Sequence, residues 1–154
     1  MNIGIIIHSQ SGHTYSVALK LQEKLSLAGH KVVIERLKPV GDVHPGVKNL
    51  RIETLPELDK YQGLVFAAPV WAFSVSPVLA SYLEQLSSLN SKKIASFVTM
   101  GFPFAWMGGN RAINQIIKTC RSKGGTLSVA SVITLSGNNK KAVNRMIEEL
   151  NGVF

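Results

Sequence analysis

The chain has 154 residues, 45% of them hydrophobic and 17% charged, which is long and apolar enough for a buried core and excludes a disordered chain. Its formal charge of +8 draws anions of any kind, yet Arg36, Lys38, Lys48, Arg51, Lys60, Lys92, Lys93, Arg121, Lys123, Lys140 and Lys141 are scattered, without the aromatic-interleaved basic run of a nucleic-acid module. No stretch approaches the roughly 20 apolar residues of a membrane span, and the single cysteine, Cys120, excludes an internal disulfide.

These properties predict one cytoplasmic domain over residues 1–154, with neither nucleic acid nor membrane as a partner. Met1 to Ile7 runs into a polar loop without the charged start of a signal peptide. Cys120 falls in an apolar helical stripe, which suits a buried thiol rather than a nucleophile.

In chain order, Asn2 to Ile7 is a short isoleucine-rich run bounded by a polar loop, as expected of a strand buried on both faces of a sheet. From Thr14 onward Val17, Ala18, Leu21, Leu25 and Ala28 keep helical spacing, and Gly29 follows where helices commonly stop. Lys31 to Arg36 and the very apolar Leu64 to Ala68 read as the next two strands. Between them Leu37 to Gln62 carries Pro39, Gly41, Pro45, Gly46 and Pro56, so any crossover helix there must be short or irregular.

Ser76-Pro77 is a helix start, with a side-chain acceptor at the cap followed by a residue that needs no donor in the first turn. Leu79, Tyr82, Leu83 and Leu86 mark the buried face of that helix, and Ile94 to Thr99 is the fourth strand. Ile113, Ile116, Ile117 and Cys120 define another amphipathic helix ending before Gly124, with Lys118, Arg121 and Lys123 suited to the negative end of its dipole. Thr126 to Thr134 alternates as a sheet-edge strand does, and Val143, Met146, Ile147 and Leu150 line a last helix.

Strands alternating with helices imply an α/β fold: a doubly wound sheet of five parallel strands covered on both faces. The strand order 2-1-3-4-5 fits. In that order the winding reverses between strands one and three, and a ligand crevice opens at their carboxyl ends beside the loop after strand four. Three loops therefore carry the function.

The first loop, His8-Ser9-Gln10-Ser11-Gly12-His13-Thr14, joins a buried strand to a helix start, where free backbone N–H groups and the helix dipole favour an anion. Ser9, Ser11 and Thr14 are expected to converge on a phosphate, and Gly12 to let the backbone approach it. A helix-capping turn is the alternative. Neither G-x-x-x-x-G-K-S/T nor G-x-G-x-x-G follows the first strand, which removes a P-loop and a dinucleotide fingerprint. A phosphate-accepting regulator would place carboxylates at the ends of strands one and three, and these read Ile7-His8 and Ala67-Ala68.

The second loop is Pro69-Val70-Trp71-Ala72-Phe73-Ser74-Val75, and the third runs from Met100-Gly101-Phe102 through Phe104 and Trp106 to Gly108-Gly109. Together they hold both tryptophans and three of the six phenylalanines. Loops avoid large apolar residues unless these pack or bind something. A flat ligand accounts for them, with Trp71 and Trp106 as first contacts; a lid on the core or a subunit interface is the alternative.

Ser9-x-Ser11-Gly12-x-Thr14, the Ala68-Pro69-Val70-Trp71 strand end and the closing Gly108-Gly109 resemble the flavodoxin-like superfamily over nearly the whole chain except Leu37 to Gln62. The first motif is similar to that superfamily's phosphate loop for flavin mononucleotide (FMN). The resemblance implies that Ser9, Gln10, Ser11, Gly12, His13 and Thr14 hold the FMN phosphate. It also implies that Pro69, Val70, Trp71, Ala72 and Phe73 flank the isoalloxazine together with Met100, Gly101, Phe102, Trp106, Gly108 and Gly109. The uninterrupted fifth strand is similar to the short-chain members.

Two features depart from the resemblance. One-electron carriers of this superfamily are typically acidic, whereas this chain is basic. The third loop is more similar to the NAD(P)H-dependent reductases and quinone reductases of the same fold. The implied function is an FMN-binding oxidoreductase that passes electrons from NAD(P)H to a quinone-like or other small-molecule acceptor, with the chemistry on the flavin and no protein catalytic residue or metal. A carrier working between redox partner proteins, and a binding module without cofactor, are the alternatives; a homodimer is compatible with either.

Overall fold

The structure is a computed structural model that describes residues 1–47 and 50–154; Lys48, one of the scattered basic residues, lies outside them. The strands are β1 (Asn2–Ile7), β2 (Lys31–Arg36), β3 (Gly63–Trp71), β4 (Ser74–Val75), β5 (Lys93–Met100) and β6 (Leu127–Thr134). The helices are α1 (His13–Leu27), α2 (Pro77–Gln85), α3 (Gly109–Ser122) and α4 (Lys140–Asn151). Five strands pair in parallel in the order β2-β1-β3-β5-β6, and the two-residue β4 folds back antiparallel on the end of β3. With β4 set aside this is the expected order, and β1 and β2 have the expected bounds.

The apolar runs of β1, β3 and β5 form the buried middle of the sheet, and β2 and β6 its partly exposed edges. On one face α1 and α4 pack Val17, Leu21, Leu25, Val143, Met146 and Leu150 against Ile3, Ile5, Ile7, Val65 and Phe97. On the other α2 and α3 pack Leu79, Tyr82, Ile116 and Cys120 against Ile6, Leu64, Phe66 and Val98. Cys120 is fully buried, and burial pushes its thiol up to about 12. The predicted cap of α2 is present: Ser76 Oγ accepts from the Val78 N–H at 3.2 Å, with Pro77 in the first turn.

Between β2 and β3 there is no helix among the described residues. The chain makes an isolated antiparallel bridge at Pro39 and Ile52, flanked by the bonds Val40 N–H to Arg51 O and Glu53 N–H to Lys38 O. Leu37, Leu50, Leu58 and Tyr61 are buried beside the α2 and α3 residues, so this strap takes the place of a covering helix on that face. Polar side chains hold it: Tyr61 Oη donates to Glu35 Oε2 at 2.5 Å, Tyr82 Oη to Pro56 O at 2.6 Å, and Lys92 Nζ to the carbonyls of Leu58 and Tyr61 at 2.9 and 2.6 Å. The Tyr61 ring lies over Gly4 of β1, where an added Cβ would sit 2.7 Å from it.

Candidate functional site

The first loop leaves β1 and enters α1 through Gly12, which caps the helix at φ 92. This left-handed conformation is strained for any residue with a Cβ. The N–H groups at the start of α1 have no intrahelical acceptor; that of Tyr15 is taken by Ser9 Oγ at 3.2 Å. Ser11 Oγ lies 3.0 Å from His13 Nδ1. Thr14 is turned inward, buried, with its hydroxyl 2.8 Å from that of Thr99 on β5. Each of the three hydroxyls expected to converge on an anion thus has a protein partner, and Thr14 is tied to the neighbouring strand end.

The second loop is a tight hairpin. Trp71 pairs with Ser74 across Ala72 and Phe73, and these two residues have φ 47 and 65. Positive φ at both central positions is the primed two-residue turn, which Asn and Gly adopt readily and Ala and Phe do not. Strain of this kind persists only where surrounding structure holds it. Here the N-terminus of α3 abuts the turn: a Cβ on Gly108 would lie 2.6 Å from Phe73 Cα, and one on Gly109 2.5 Å from a Val132 methyl and 2.8 Å from Met100 Sδ. Gly108 and Gly109, expected beside a flat ligand, are packed against protein, with Gly108 itself at φ 110.

At the carboxyl ends of β3, β5 and β6 a crevice of 390 Å³ opens, within the range of small-molecule sites. It gathers Ser11 and His13 from the first loop, Pro69, Val70 and Trp71 from the second, and Met100 and Gly101 from the third. Thr99, Leu135 and Ser136 also line it and were not singled out from sequence; all three sit at the carboxyl ends of strands facing this crevice, the one signal that could have found them. Ser9 and Gln10 line a neighbouring cleft instead.

Phe73 stacks on Phe102 at 5.5 Å between centroids, and Phe104 on Trp106 at 6.0 Å. These four rings are 48–74% exposed, and none lines the crevice. Trp71 does line it; its ring meets His8 edge-on, with centroids 5.1 Å apart. His8 is 4% exposed, its Nδ1 2.6 Å from Ser76 Oγ, and burial followed by the charge of Arg36 lowers its pKa to about 4, so the ring is neutral at physiological pH.

No protein-family model matches the chain, and no curated protein matches it. Solved structures do. Oxidised flavodoxin 2 from Bacillus cereus superposes with a TM-score of 0.74 at 19% identity, over 99% of this chain and 97% of that one. The flavodoxin of Streptococcus pneumoniae gives 0.70 at 15% identity, over 99% and 96%. A flavoprotein in complex with FMN from Lactobacillus acidophilus gives 0.64 at 13%, over 94% and 97%. At these identities the likeness speaks for architecture: the chain has the flavodoxin-like α/β fold.

Proposed function

We propose that this chain binds FMN in the crevice between the β3 and β5 loops and works as a flavin-dependent oxidoreductase, taking electrons from NAD(P)H and delivering them to a quinone-like or other small acceptor. The observation that carries the reading is the convergence of Ser11, His13, Pro69, Val70, Trp71, Met100 and Gly101 on one crevice at the strand ends, in a fold shared with a flavoprotein solved in complex with FMN. The residues fit the cofactor. The start of α1 offers backbone donors to a phosphate, and the space around Gly12 is open, with nothing within 4 Å of where its Cβ would lie.

In this reading Gln10 to Thr14 hold the phosphate through backbone N–H groups and the Ser11 hydroxyl, and Ser9 fixes the turn. Trp71 and the backbone of Met100 and Gly101 flank the ring system. When bound, FMN supplies hydride and single-electron chemistry that no amino-acid side chain provides. The protein supplies position and water exclusion. The basic surface supports a phosphorylated electron donor.

A carrier that exchanges electrons with redox partner proteins is the second reading, favoured by the exposed pairs Phe73–Phe102 and Phe104–Trp106 at the rim of the same loops, where an interface with another protein would find its anchors. Titrating the purified protein with FMN while following flavin fluorescence and visible absorption tests the cofactor; neither bound flavin nor uptake would leave only a cofactor-free module. Anaerobic mixing with NADPH or NADH then separates the roles: direct bleaching of the visible band supports the reductase, and bleaching only in the presence of a partner reductase supports the carrier.

A further inference from the structure

On the β2 side of the first loop lies a second and larger cleft, of 780 Å³, which shares no lining residue with the crevice. Its walls include His8, Ser9 and Gln10 from the end of β1, Arg36 and Lys38 from the end of β2, and Asp42 farther along the strap. Arg36 is held in place: Nη2 donates to Ser9 O at 3.0 Å, and the guanidinium lies 4.4 Å from the centre of the Tyr15 ring. Its other N–H groups remain for a ligand. Lys38 makes no ion pair among the described residues.

His8 also lines the cleft, its side chain 4% exposed. Its Nδ1 lies 2.6 Å from Ser76 Oγ, which also accepts from the Val78 N–H.

We propose that this cleft is a binding site for a phosphorylated, hydroxyl-bearing small molecule, a sugar phosphate or nucleotide, distinct from the crevice between β3 and β5. Arg36 and Lys38 match the double negative charge of a phosphate monoester. The Gln10 amide and the Ser9 hydroxyl add donors, with the His8 ring beside them on the wall. Asp42, an acceptor only, repels a bare anion but takes hydrogen bonds from sugar hydroxyls. The volume exceeds what inorganic phosphate fills and lies in the range of small-molecule sites. None of this requires flavin in the neighbouring crevice.

The test is calorimetric titration of the purified protein with ribose 5-phosphate, ribose and inorganic phosphate, with the His8 ring signals followed by NMR. Ribose 5-phosphate is expected to bind saturably, at least tenfold tighter than either of the others, and to shift the His8 signals. Lys38→Gln, whose parent side chain makes no hydrogen bond or ion pair among the described residues, should weaken it fivefold or more, and Arg36→Gln at least as much. One equivalent of FMN should leave this binding in place. Equal affinity for ribose, unchanged affinity in Lys38→Gln, or complete displacement by one equivalent of FMN would each overturn the assignment. A protein that fails to take up FMN yet binds ribose 5-phosphate as described supports the second site while refuting the flavin reading.

Discussion

His8 Nδ1 lies 2.6 Å from Ser76 Oγ, joining the end of β1 to the cap of α2 across 68 residues. One hydroxyl caps a helix and binds a buried imidazole, so helix start and cleft wall are coupled. The ring is neutral because charging it would strand a cation in the core beside Arg36.

Acid should therefore destabilise the protein through His8. With a folded pKa of about 4 against 6.5 unfolded, the unfolded chain takes up the proton first, so stability is complete above pH 6.5 and declines as pH falls toward 4. The loss approaches about 3 kcal/mol at its limit. Urea unfolding at pH 7 and pH 4.5 should show a smaller decline for His8→Gln than for the parent; parallel declines would refute the role.

Gly108→Ala should be among the most damaging single-methyl changes in the chain. It combines a φ of 110 with a contact of 2.6 Å to Phe73 Cα, and the backbone cannot step aside as a side chain can. A loss of about 2–4 kcal/mol is expected in urea unfolding. Cα and Cβ chemical shifts of Ala72 and Phe73 should show whether the turn relaxes from positive φ.

Gly4→Ala should lower stability by about 1–3 kcal/mol, because the new methyl overlaps the Tyr61 ring at 2.7 Å. In a Tyr61→Leu background the same change should cost less. Additive losses in the double variant would show that the ring is not what the methyl strikes.

Gly12→Val meets open space but must hold a β-branched residue at φ 92. The loop should change shape while the sheet stays folded, with loss of FMN retention on gel filtration and little change in the urea midpoint. Retention equal to the parent would separate this turn from the phosphate.

Trp71→Ala should weaken FMN by about 1–3 kcal/mol, the range for stacking on an aromatic base, as read by fluorescence titration. The His8 ring signals should move as well, since the indole packs against that imidazole. Movement of those signals with unchanged FMN affinity would assign Trp71 to packing alone.

Much of this architecture is legible in one sequence because the signals are local. The isoleucine run gives β1 its bounds, and Ser76-Pro77 gives the start of α2. The hairpin at Trp71 to Ser74 is not legible, since Ala72 and Phe73 lack the Asn-Gly signature of such a turn and are held there by Gly108 of a distant helix. Nor is the strap legible. Its prolines and glycines erase periodicity, and its order comes from Glu35, Tyr82 and Lys92, which lie outside it. At the crevice the loops could be named, but not that Thr14 would spend its hydroxyl on Thr99, 85 residues away, or that Gly108 and Gly109 would face protein.

The strap between β2 and β3 carries a consequence for cooperativity. A covering helix would bring its own ladder of amide bonds, whereas this stretch leans on a carboxylate, a phenol and an ammonium anchored elsewhere. Its ordering is thus a toll levied on the rest of the molecule, and it melts as soon as those anchors let go. Amides of residues 37–47 and 50–62 should exchange with deuterium earlier than those of the central strands, and that early opening would expose the wall of the cleft at Asp42 before the layered core gives way.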